Sequence, residues 1–557
     1  MWRTRTGVLV TLSAAMLLAA CGGSATETVR PAPDRHGPQL PPPPPDPREP
    51  RHEPPPFVPD PEPAPPAPYP EVTYENPGVN PPVDPTRDDA STFSLDVDTA
   101  SYAVARRYLA DGHLPDPDSV RVEEFVNAFS GGYAPPLEET FAVRVDGAPA
   151  PFLWDQTSAL VRVGIQARDV ASASRPDATL TFVIDTSGSM QMEDRFGLVQ
   201  RSLDLLVDGL RPTDSVAIVA YGTDARVVLE PTPVQHAAQI HEAIRQLWPG
   251  GSTNAAAGLQ RGYEVARKSF RDDRLNRVVL ASDGVANVGV TDADGMLKLI
   301  GDASTEHIQL VTVGFGMGNY NDALMEQLAD RGDGFYAYVD DLDEARRLFL
   351  DDLTGTLTTV ALDAKAQVTF DPELVRSYRL LGYENRAIDD HEFRDDSLPT
   401  AGIGAGRATT ALYEVQLLPG SRGAFGSVRV HWTDPSTHEP SELERSLVTG
   451  DLARSWGEAP PRFRLAGLVA AWAGALRHDP WAADVSLGQI ADEVRRLYPE
   501  LASDPAVAEL VQLTADAARL ADPWGDSADP CCDDSWEEDP WGDSADPWGD
   551  SADPWGE

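Results

Sequence analysis

The fold of this chain is decided by Thr181-Phe182-Val183-Ile184-Asp185-Thr186-Ser187-Gly188-Ser189-Met190. The stretch begins with an apolar, β-branched and aromatic run, which is typical of a buried central strand. It ends in Asp-Thr-Ser-Gly-Ser, so Asp185, Ser187 and Ser189 are predicted on the loop that leaves the carboxyl end of the strand. Because open α/β sheets bind their ligands at that edge, we expect a binding site there.

The residue types at this loop indicate a metal. One carboxylate and two hydroxyls are hard oxygen ligands, which suit Mg²⁺, Mn²⁺ or Ca²⁺, and Gly188 permits a tight turn between the serines. Thr253 lies in the loop Pro249-Gly250-Gly251-Ser252-Thr253-Asn254, and Asp283 follows the apolar strand 277–281. The candidate ligands of a divalent metal ion are therefore Asp185, Ser187, Ser189, Thr253 and Asp283.

This ordered set resembles the metal-ion-dependent adhesion site of von Willebrand factor type A domains, which reads Asp-x-Ser-x-Ser, then Thr, then Asp. The resemblance implies an α/β fold for residues 177–355, doubly wound and Rossmann-like, around a mainly parallel sheet. Two carboxylates roughly neutralise a divalent ion and leave a coordination position for an outside oxygen. We therefore expect a protein partner that offers an acidic residue, as the resemblance also implies. The alternative is that these side chains only cap strand and helix ends.

The pattern between residues 178 and 353 alternates predicted strands with predicted helices, which favours a sheet covered on both faces. Strands are expected at 215–221, 225–229, 309–313 and 334–339. Helices are expected at 196–210, 234–248, 254–270, 321–329 and 343–353.

The amino terminus has the features of a bacterial lipoprotein signal, assigned to residues 1–20. Arg3 and Arg5 precede an apolar segment, 8–20, that is too short to span a membrane comfortably. The sequence Leu-Ala-Ala-Cys-Gly then resembles a lipobox, which implies that Cys21 is lipidated and anchors the chain to the membrane. We expect a cell-envelope protein on the outer membrane, facing the periplasm or the surface. The alternative is an ordinary secretory signal.

Residues 21–87 join the lipidated Cys21 to the folded part. The segment is dense in proline, which favours an extended polyproline II spacer. The formal net charge of the chain is −44, which argues against nucleic acid as a partner because phosphates require Lys and Arg.

Two regions flank the metal-binding domain. Residues 88–165 contain Ser-Leu-Asp-Val-Asp-Thr-Ala-Ser-Tyr and Val-Arg-Val-Glu-Glu, which resemble the amino-terminal region of the YfbK family of bacterial von Willebrand factor A lipoproteins. Residues 356–520 contain predicted antiparallel strands followed by helices, and they resemble the carboxyl-terminal domain of that family. The fold expected here is a small amino-terminal segment and a carboxyl-terminal β-rich and helical domain.

Residues 521–557 form an acidic tail in which Asp-Pro-Trp-Gly-Asp-Ser-Ala recurs with a seven-residue step from Asp539 and Asp546 to a truncated copy at Asp553, after an earlier copy at Asp522. Pro and Gly in every unit exclude a coiled coil, and the tail has no Lys or Arg, so disorder is predicted. The tail is either a solvated extension or a set of short docking motifs.

Three functions are compatible with this sequence. The first is a non-enzymatic one, metal-dependent adhesion or complex assembly. The second is a metal-dependent hydrolase, which lacks a base near the serines in sequence. The third is an envelope scaffold with a purely structural metal.

Overall fold

The stretch from Thr181 to Asp185 lies in a central strand of a six-stranded sheet. The computed structural model describes residues 74, 76–95, 99–153, 157–283, 289–300, 307–315, 322–332, 334–351, 353–395, 400, 402–482 and 485–522. These belong to one unit, Pro66–Glu557. The predicted signal peptide, Cys21, most of the proline-rich segment and nearly all of the acidic tail lie outside the described residues.

The strands are numbered in chain order. They are β1 (Ala90–Ser94), β2 (Phe141–Pro149), β3 (Ala159–Ala167), β4 (Asp177–Asp185), β5 (Ser215–Tyr221), β6 (Ala225–Pro233), β7 (Arg274–Ser282), β8 (Gln309–Phe315), β9 (Tyr336–Val339), β10 (Thr359–Phe370), β11 (Val375–Leu381), β12 (Ile403–Gly404), β13 (Ala408–Leu417), β14 (Ala424–Thr433) and β15 (Pro440–Val448).

The α-helices are numbered in the same way. They are α1 (Ala100–Ala110), α2 (Val122–Asn127), α3 (Arg195–Gly209), α4 (Ala237–Arg245), α5 (Ala255–Ser269), α6 (Ala293–Ile300), α7 (Asp322–Asp330), α8 (Leu342–Arg346), α9 (Leu353–Leu357), α10 (Pro461–Leu476), α11 (Leu487–Leu497) and α12 (Pro505–Ala521).

The six-stranded sheet has the order β6-β5-β4-β7-β8-β9. Its neighbouring strands are parallel except at the edge, where β6 runs antiparallel to β5. In β4, Phe182 and Ile184 belong to the core on one face, and Val183 belongs to the core on the other. The unbroken apolar run is explained by burial of both faces, and the predicted doubly wound α/β fold is confirmed.

Helices cover both faces of this sheet, with α3 and α4 on one side and α5, α6 and α7 on the other. The predicted helices 196–210 and 254–270 are found as α3 and α5. The helix predicted at 343–353 is divided into α8, a π-helical turn at Arg347–Asp351, and α9. α6 is absent from the predicted elements, because a helix of eight residues that includes Gly295 gives little periodic signal.

The flanking regions build a β-sandwich. One sheet has the order β11-β13-β3-β2, and the other has the order β1-β10-β14-β15 with β12 beside β10. Phe93 and Phe370 of the second sheet share a core with Val163 of the first. Since β1 pairs with β10 and β3 pairs with β13, the segments 88–165 and 356–520 contribute strands to the same two sheets.

A helical layer packs against the sandwich. It combines α1 and α2 with α10, α11 and α12, and its core includes Leu160 of β3 and Leu412 of β13. Fully buried Trp472 of α10 lies edge-on to Phe125 of α2, with ring centroids 5.4 Å apart. Among the residues described, no helix combines the length and the apolar character needed to cross a membrane.

Helix α1 links this helical layer to the central sheet. Tyr102 packs into the core of the layer, and Val104 packs into the core on one face of the sheet. Arg106 Nε donates to Asp340 Oδ2 over 3.0 Å, and Arg106 Nη1 lies 3.5 Å from Glu509 Oε2 of α12. Asp340 directly follows β9, so one guanidinium ties three parts of the chain together.

We expect Arg106→Ala to lower the free energy of unfolding by about 2 kcal/mol, the usual value of hydrogen bonds to charged groups. Arg106 and Asp340 are only 13% and 8% exposed, so solvent cannot replace the lost contact fully. Urea denaturation measures the change. Arg107→Ala is the matched control, since Arg107 pairs with Asp111 at a more exposed position and should matter by less than about 1 kcal/mol. Equal effects of the two substitutions would contradict the linking role of Arg106.

Candidate metal centre

The site is built at the ends of two neighbouring parallel strands. Asp185 is the last residue of β4, and Ser282 is the last residue of β7, which pairs with β4. Asp283 therefore follows at the same carboxyl edge of the sheet. Both carboxylates are completely buried. Two acidic side chains withdrawn from water in this way require positive charge or hydrogen-bond donors to be tolerated.

The Asp-Thr-Ser-Gly-Ser turn brings its polar side chains together. The Ser187 N–H donates to Asp185 Oδ1 over 2.8 Å, and the hydroxyl oxygens of Ser187 and Ser189 lie 2.9 Å apart. Gly188 lies close to the neighbouring loop, since a Cβ atom there would lie 3.3 Å from the carbonyl oxygen of Gly251, a tight contact. The same pair forms a backbone hydrogen bond of 3.0 Å. The turn thus contacts the loop that carries Thr253.

Backbone hydrogen bonds fix the loop that carries Thr253. The Gly250 N–H donates to the carbonyl of Thr186, in the turn after β4, over 2.6 Å, and the Asn254 N–H donates to the carbonyl of Gly222, after β5, over 2.9 Å. Asn254 also caps α5 by accepting from the Ala257 N–H. Buried Thr253 lies between these two anchors. All five predicted residues are therefore carried by three loops at one edge of the sheet.

The electrostatics of the site are set first by burial and then by the presence of two like charges. Burial, with a further contribution from the Asp283 carboxylate, raises the pKa of Asp185 to about 6. Hydrogen bonds from Ser187 and Ser282 oppose this shift but do not cancel it. In the absence of further positive charge, the two carboxylates are thus costly to ionise together.

Three residues that the sequence did not single out lie against the carboxylates. The hydroxyls of Tyr221 and Ser282 donate to Asp185 Oδ2 over 3.1 and 2.9 Å. Arg195 Nη1, at the start of α3, lies 3.7 Å from Asp283 Oδ2. Ser282 and Tyr221 could have been inferred, since each ends a strand next to β4. The position of Arg195 beside Asp283 could not have been inferred, because it depends on how α3 packs.

The donor set fits a divalent cation. Two buried carboxylates supply charge, Arg195 offsets only part of it, and the hydroxyls of Ser187 and Ser189 add neutral oxygens nearby. Oxygen ligands of this kind are preferred by Mg²⁺, Mn²⁺ and Ca²⁺. The hydrogen-bond partners described here for Asp185 and Ser187 include neither histidine nor lysine.

The fold and the ordered loops define the class of this protein. The family model described as "von Willebrand factor type A domain" matches residues 179–352. Domains of this class mediate protein–protein interaction or adhesion and commonly bind a divalent metal at the equivalent loops. Two other models match the flanking regions, "von Willebrand factor" at residues 69–162 and "Uncharacterized protein YfbK, C-terminal" at residues 355–424.

Comparison with whole proteins gives the family. The uncharacterized protein YfbK of Escherichia coli (strain K12) is 37% identical over 440 residues, which cover 75% of this chain and 76% of that protein. The chain belongs to the YfbK family, as the amino- and carboxyl-terminal motifs predicted.

More distant similarity extends to two further proteins. Uncharacterized protein sll0103 of Synechocystis sp. is 28% identical over 299 residues, or 52% of this chain and 69% of that protein. A solved structure, von Willebrand factor type A from Catenulispora acidiphila, is 17% identical and covers 68% of this chain and 90% of that chain, with a TM-score of 0.38.

Proposed function

We propose that this chain is a lipid-anchored protein of the bacterial cell envelope whose von Willebrand factor A domain binds a divalent metal ion and, through it, a carboxylate of a protein partner. Asp185, Ser187, Ser189, Thr253 and Asp283 would hold the ion, which supplies an electrophilic position for the partner's oxygen. The lipid on Cys21 would attach the chain to the outer membrane, with the proline-rich segment as spacer.

The observation that carries this proposal is the pair of fully buried carboxylates at the loop edge of the sheet. Asp185 and Asp283 lie together although burial and mutual repulsion disfavour ionisation of both. Such an arrangement is costly unless a cation balances it. The hydroxyls of Ser187 and Ser189 lie 2.9 Å apart in the turn that directly follows Asp185, where both can offer neutral oxygens to an ion.

Calorimetry tests the metal site directly. The mature chain carrying Cys21→Ser is titrated with Mg²⁺, Mn²⁺ and Ca²⁺, and binding at one site is expected. Asp185→Ala should abolish this binding, because it removes a buried charge that the other ligands cannot replace. Asp224→Ala is the control, since this exposed carboxylate lies in the β5–β6 turn at the same edge of the sheet. A heat of metal binding that persists in Asp185→Ala, or that is lost in Asp224→Ala, would contradict the proposed ligand set.

The partner step is tested by Asp283→Ala. Envelope proteins are captured with the wild-type and variant chains in Mn²⁺ and in EDTA, after circular dichroism has verified that the variant folds. Metal-dependent capture that the variant loses supports the proposal. Capture of a partner that survives both EDTA and Asp283→Ala would instead support a scaffold. Metal-dependent turnover of a substrate that Asp283→Ala abolishes would support a hydrolase.

A further inference from the structure

Helix α2 carries a buried acidic side chain with nothing to balance its charge. Glu123 is only 2% exposed, and no residue in the described part of the chain donates a hydrogen bond to either oxygen of its carboxylate. The adjacent Glu124 is 3% exposed, but it accepts from the Ser101 N–H over 2.7 Å and lies 3.9 Å from Arg386 Nη2. Two neighbouring acids of equal burial therefore have opposite surroundings, and those of Glu124 suit an ionised carboxylate.

The turn that follows β11 encloses the Glu123 carboxylate. Gly382 and Tyr383 both have a left-handed backbone, with φ of +84° and +66°. A Cβ atom on Gly382 would overlap Glu123 Oε2 and the backbone nitrogen of Glu123, so only glycine permits this approach. The carboxylate is thus held against the backbone of the turn and away from water.

The groups that act on the charge of Glu123 come from this turn and from the residue directly after α10. They are Tyr383, Glu384, Arg386 and Arg477. Burial raises the pKa of Glu123 most, and the like charge of Glu384 raises it further. Arg386 and the backbone amides of Tyr383 and Glu123 oppose this shift of the pKa without cancelling it. An acid in such surroundings favours its neutral form.

The two arginines near Glu123 are already paired with other carboxylates. These pairs are Arg386 with Glu326 of α7 and with Glu124, over 3.1 and 3.9 Å, and Arg477 with Glu384 and Asp479, over 3.0 and 3.3 Å. An ionised Glu123 would therefore add negative charge to a buried cluster whose guanidinium groups are shared among several acids. A buried charge without its own partner is strongly destabilising.

We propose that Glu123 is a proton-dependent latch, held as the neutral acid while α2 packs against the turn after β11 and released from that turn on ionisation. The next residue, Glu124, shares Arg386 with Glu326 of α7, one of the helices that cover the central sheet. Movement of α2 is therefore transmitted to a contact between the helical layer and the metal-binding domain. The latch makes this contact sensitive to pH and does not involve the metal ion.

The pH dependence of the latch follows from the raised pKa of Glu123. Its stabilisation is complete below the unfolded-state pKa of about 4.3 and is lost as the pH rises through the higher folded-state value. Between these two values, opening of α2 releases one proton. The equilibrium constant for opening should therefore rise by about tenfold per pH unit in that range.

Hydrogen exchange of the full mature chain carrying Cys21→Ser tests the proposal. The amides of α2 and of residues 382–386 are followed from pH 5 to pH 8, and each rate is corrected for its intrinsic dependence on pH. The unchanged glutamates are compared with Glu123→Gln and with Glu124→Gln. These variants are matched, because they make the same chemical change at adjacent buried positions.

The chain with both glutamates should show the rise in opening with pH, and Glu123→Gln should remove it because an amide does not ionise. Glu124→Gln should increase opening at every pH, since it breaks an ion pair, while the dependence on pH remains. Opening that does not change with pH in the chain with both glutamates, or a rise that survives in Glu123→Gln, would overturn the latch. A rise that Glu124→Gln removes and Glu123→Gln retains would overturn the assignment of the proton to Glu123.

Discussion

Replacing Asp214 by alanine is expected to lower the free energy of unfolding by about 3–5 kcal/mol, the cost of removing one partner of a buried ion pair. Asp214 is fully buried, and its carboxylate accepts from both terminal nitrogens of Arg175, over 2.5 and 3.1 Å. The backbone N–H groups of Ala178 and Arg211 also donate to it, each over 2.7 Å. Alanine would leave a buried guanidinium and two amide donors without this acceptor.

The pH dependence of this effect has a defined sign. Burial by itself raises the pKa of Asp214, but the hydrogen bonds from Arg175, Ala178 and Arg211 outweigh it and hold the pKa below its ordinary value. The stabilisation is therefore present above the unfolded-state pKa of about 4 and is lost as the pH falls through the lower folded-state value.

Urea denaturation of the wild-type and Asp214→Ala chains at pH 7 measures the loss. Asp177→Ala is the matched control, because Asp177 pairs with Arg211 near the same end of β4 but is 31% exposed. The control should cost less than about 1 kcal/mol. A change of similar size in both variants would mean that burial does not distinguish the two carboxylates.

The central sheet and the candidate metal centre were largely predictable because their signals are local. The apolar run of β4 ends at Asp185, and the apolar run of β7 ends immediately before Asp283. Parallel neighbouring strands end at the same edge, so the pattern alone brings the two loops together. The assignment of these loops to a metal remains a prediction that calorimetry must test.

The sandwich could not be assembled from the sequence, because its pairings are non-local. Ser94 of β1 pairs with Lys365 of β10, with the whole central domain between them in the chain. The alternation of polar and apolar residues indicates a strand but does not identify its partner. The position of Arg195 beside Asp283 and the ion pair of Arg106 with Asp340 have the same origin, since each depends on the packing of distant elements.

Asp185→Asn is expected to stabilise the metal-free protein at pH 7.5 by up to about 3 kcal/mol, from the difference between a folded-state pKa of about 6 and an unfolded-state pKa near 4. The folded wild-type chain binds more protons than the unfolded chain between these values. Its favourable contribution is complete below pH 4 and is lost as the pH rises through about 6. Asparagine has no such charge, and its side-chain oxygen can still accept from the Ser187 N–H. The stability of Asp185→Asn relative to the wild type should therefore grow with pH over this range.

Chemical denaturation in EDTA between pH 4.5 and 7.5 measures this difference, with Asp224→Asn as the control that should follow the wild type. When metal is added, the wild-type chain should become the more stable of the two. At a free concentration of 1,000 times the dissociation constant, an ion that binds only the folded state stabilises the wild-type chain by about 4.1 kcal/mol, which exceeds the advantage of about 3 kcal/mol expected for the variant without metal, whereas Asp185→Asn should gain little. If Asp185→Asn is less stable than the wild type at every pH in EDTA, the Asp185 carboxylate stabilises the fold through its hydrogen bonds and is not held there to bind a cation. If instead the variant is more stable without metal and does not respond to metal, the repulsion between Asp185 and Asp283 has a role in ion binding. The fold alone would then be more stable with asparagine at position 185.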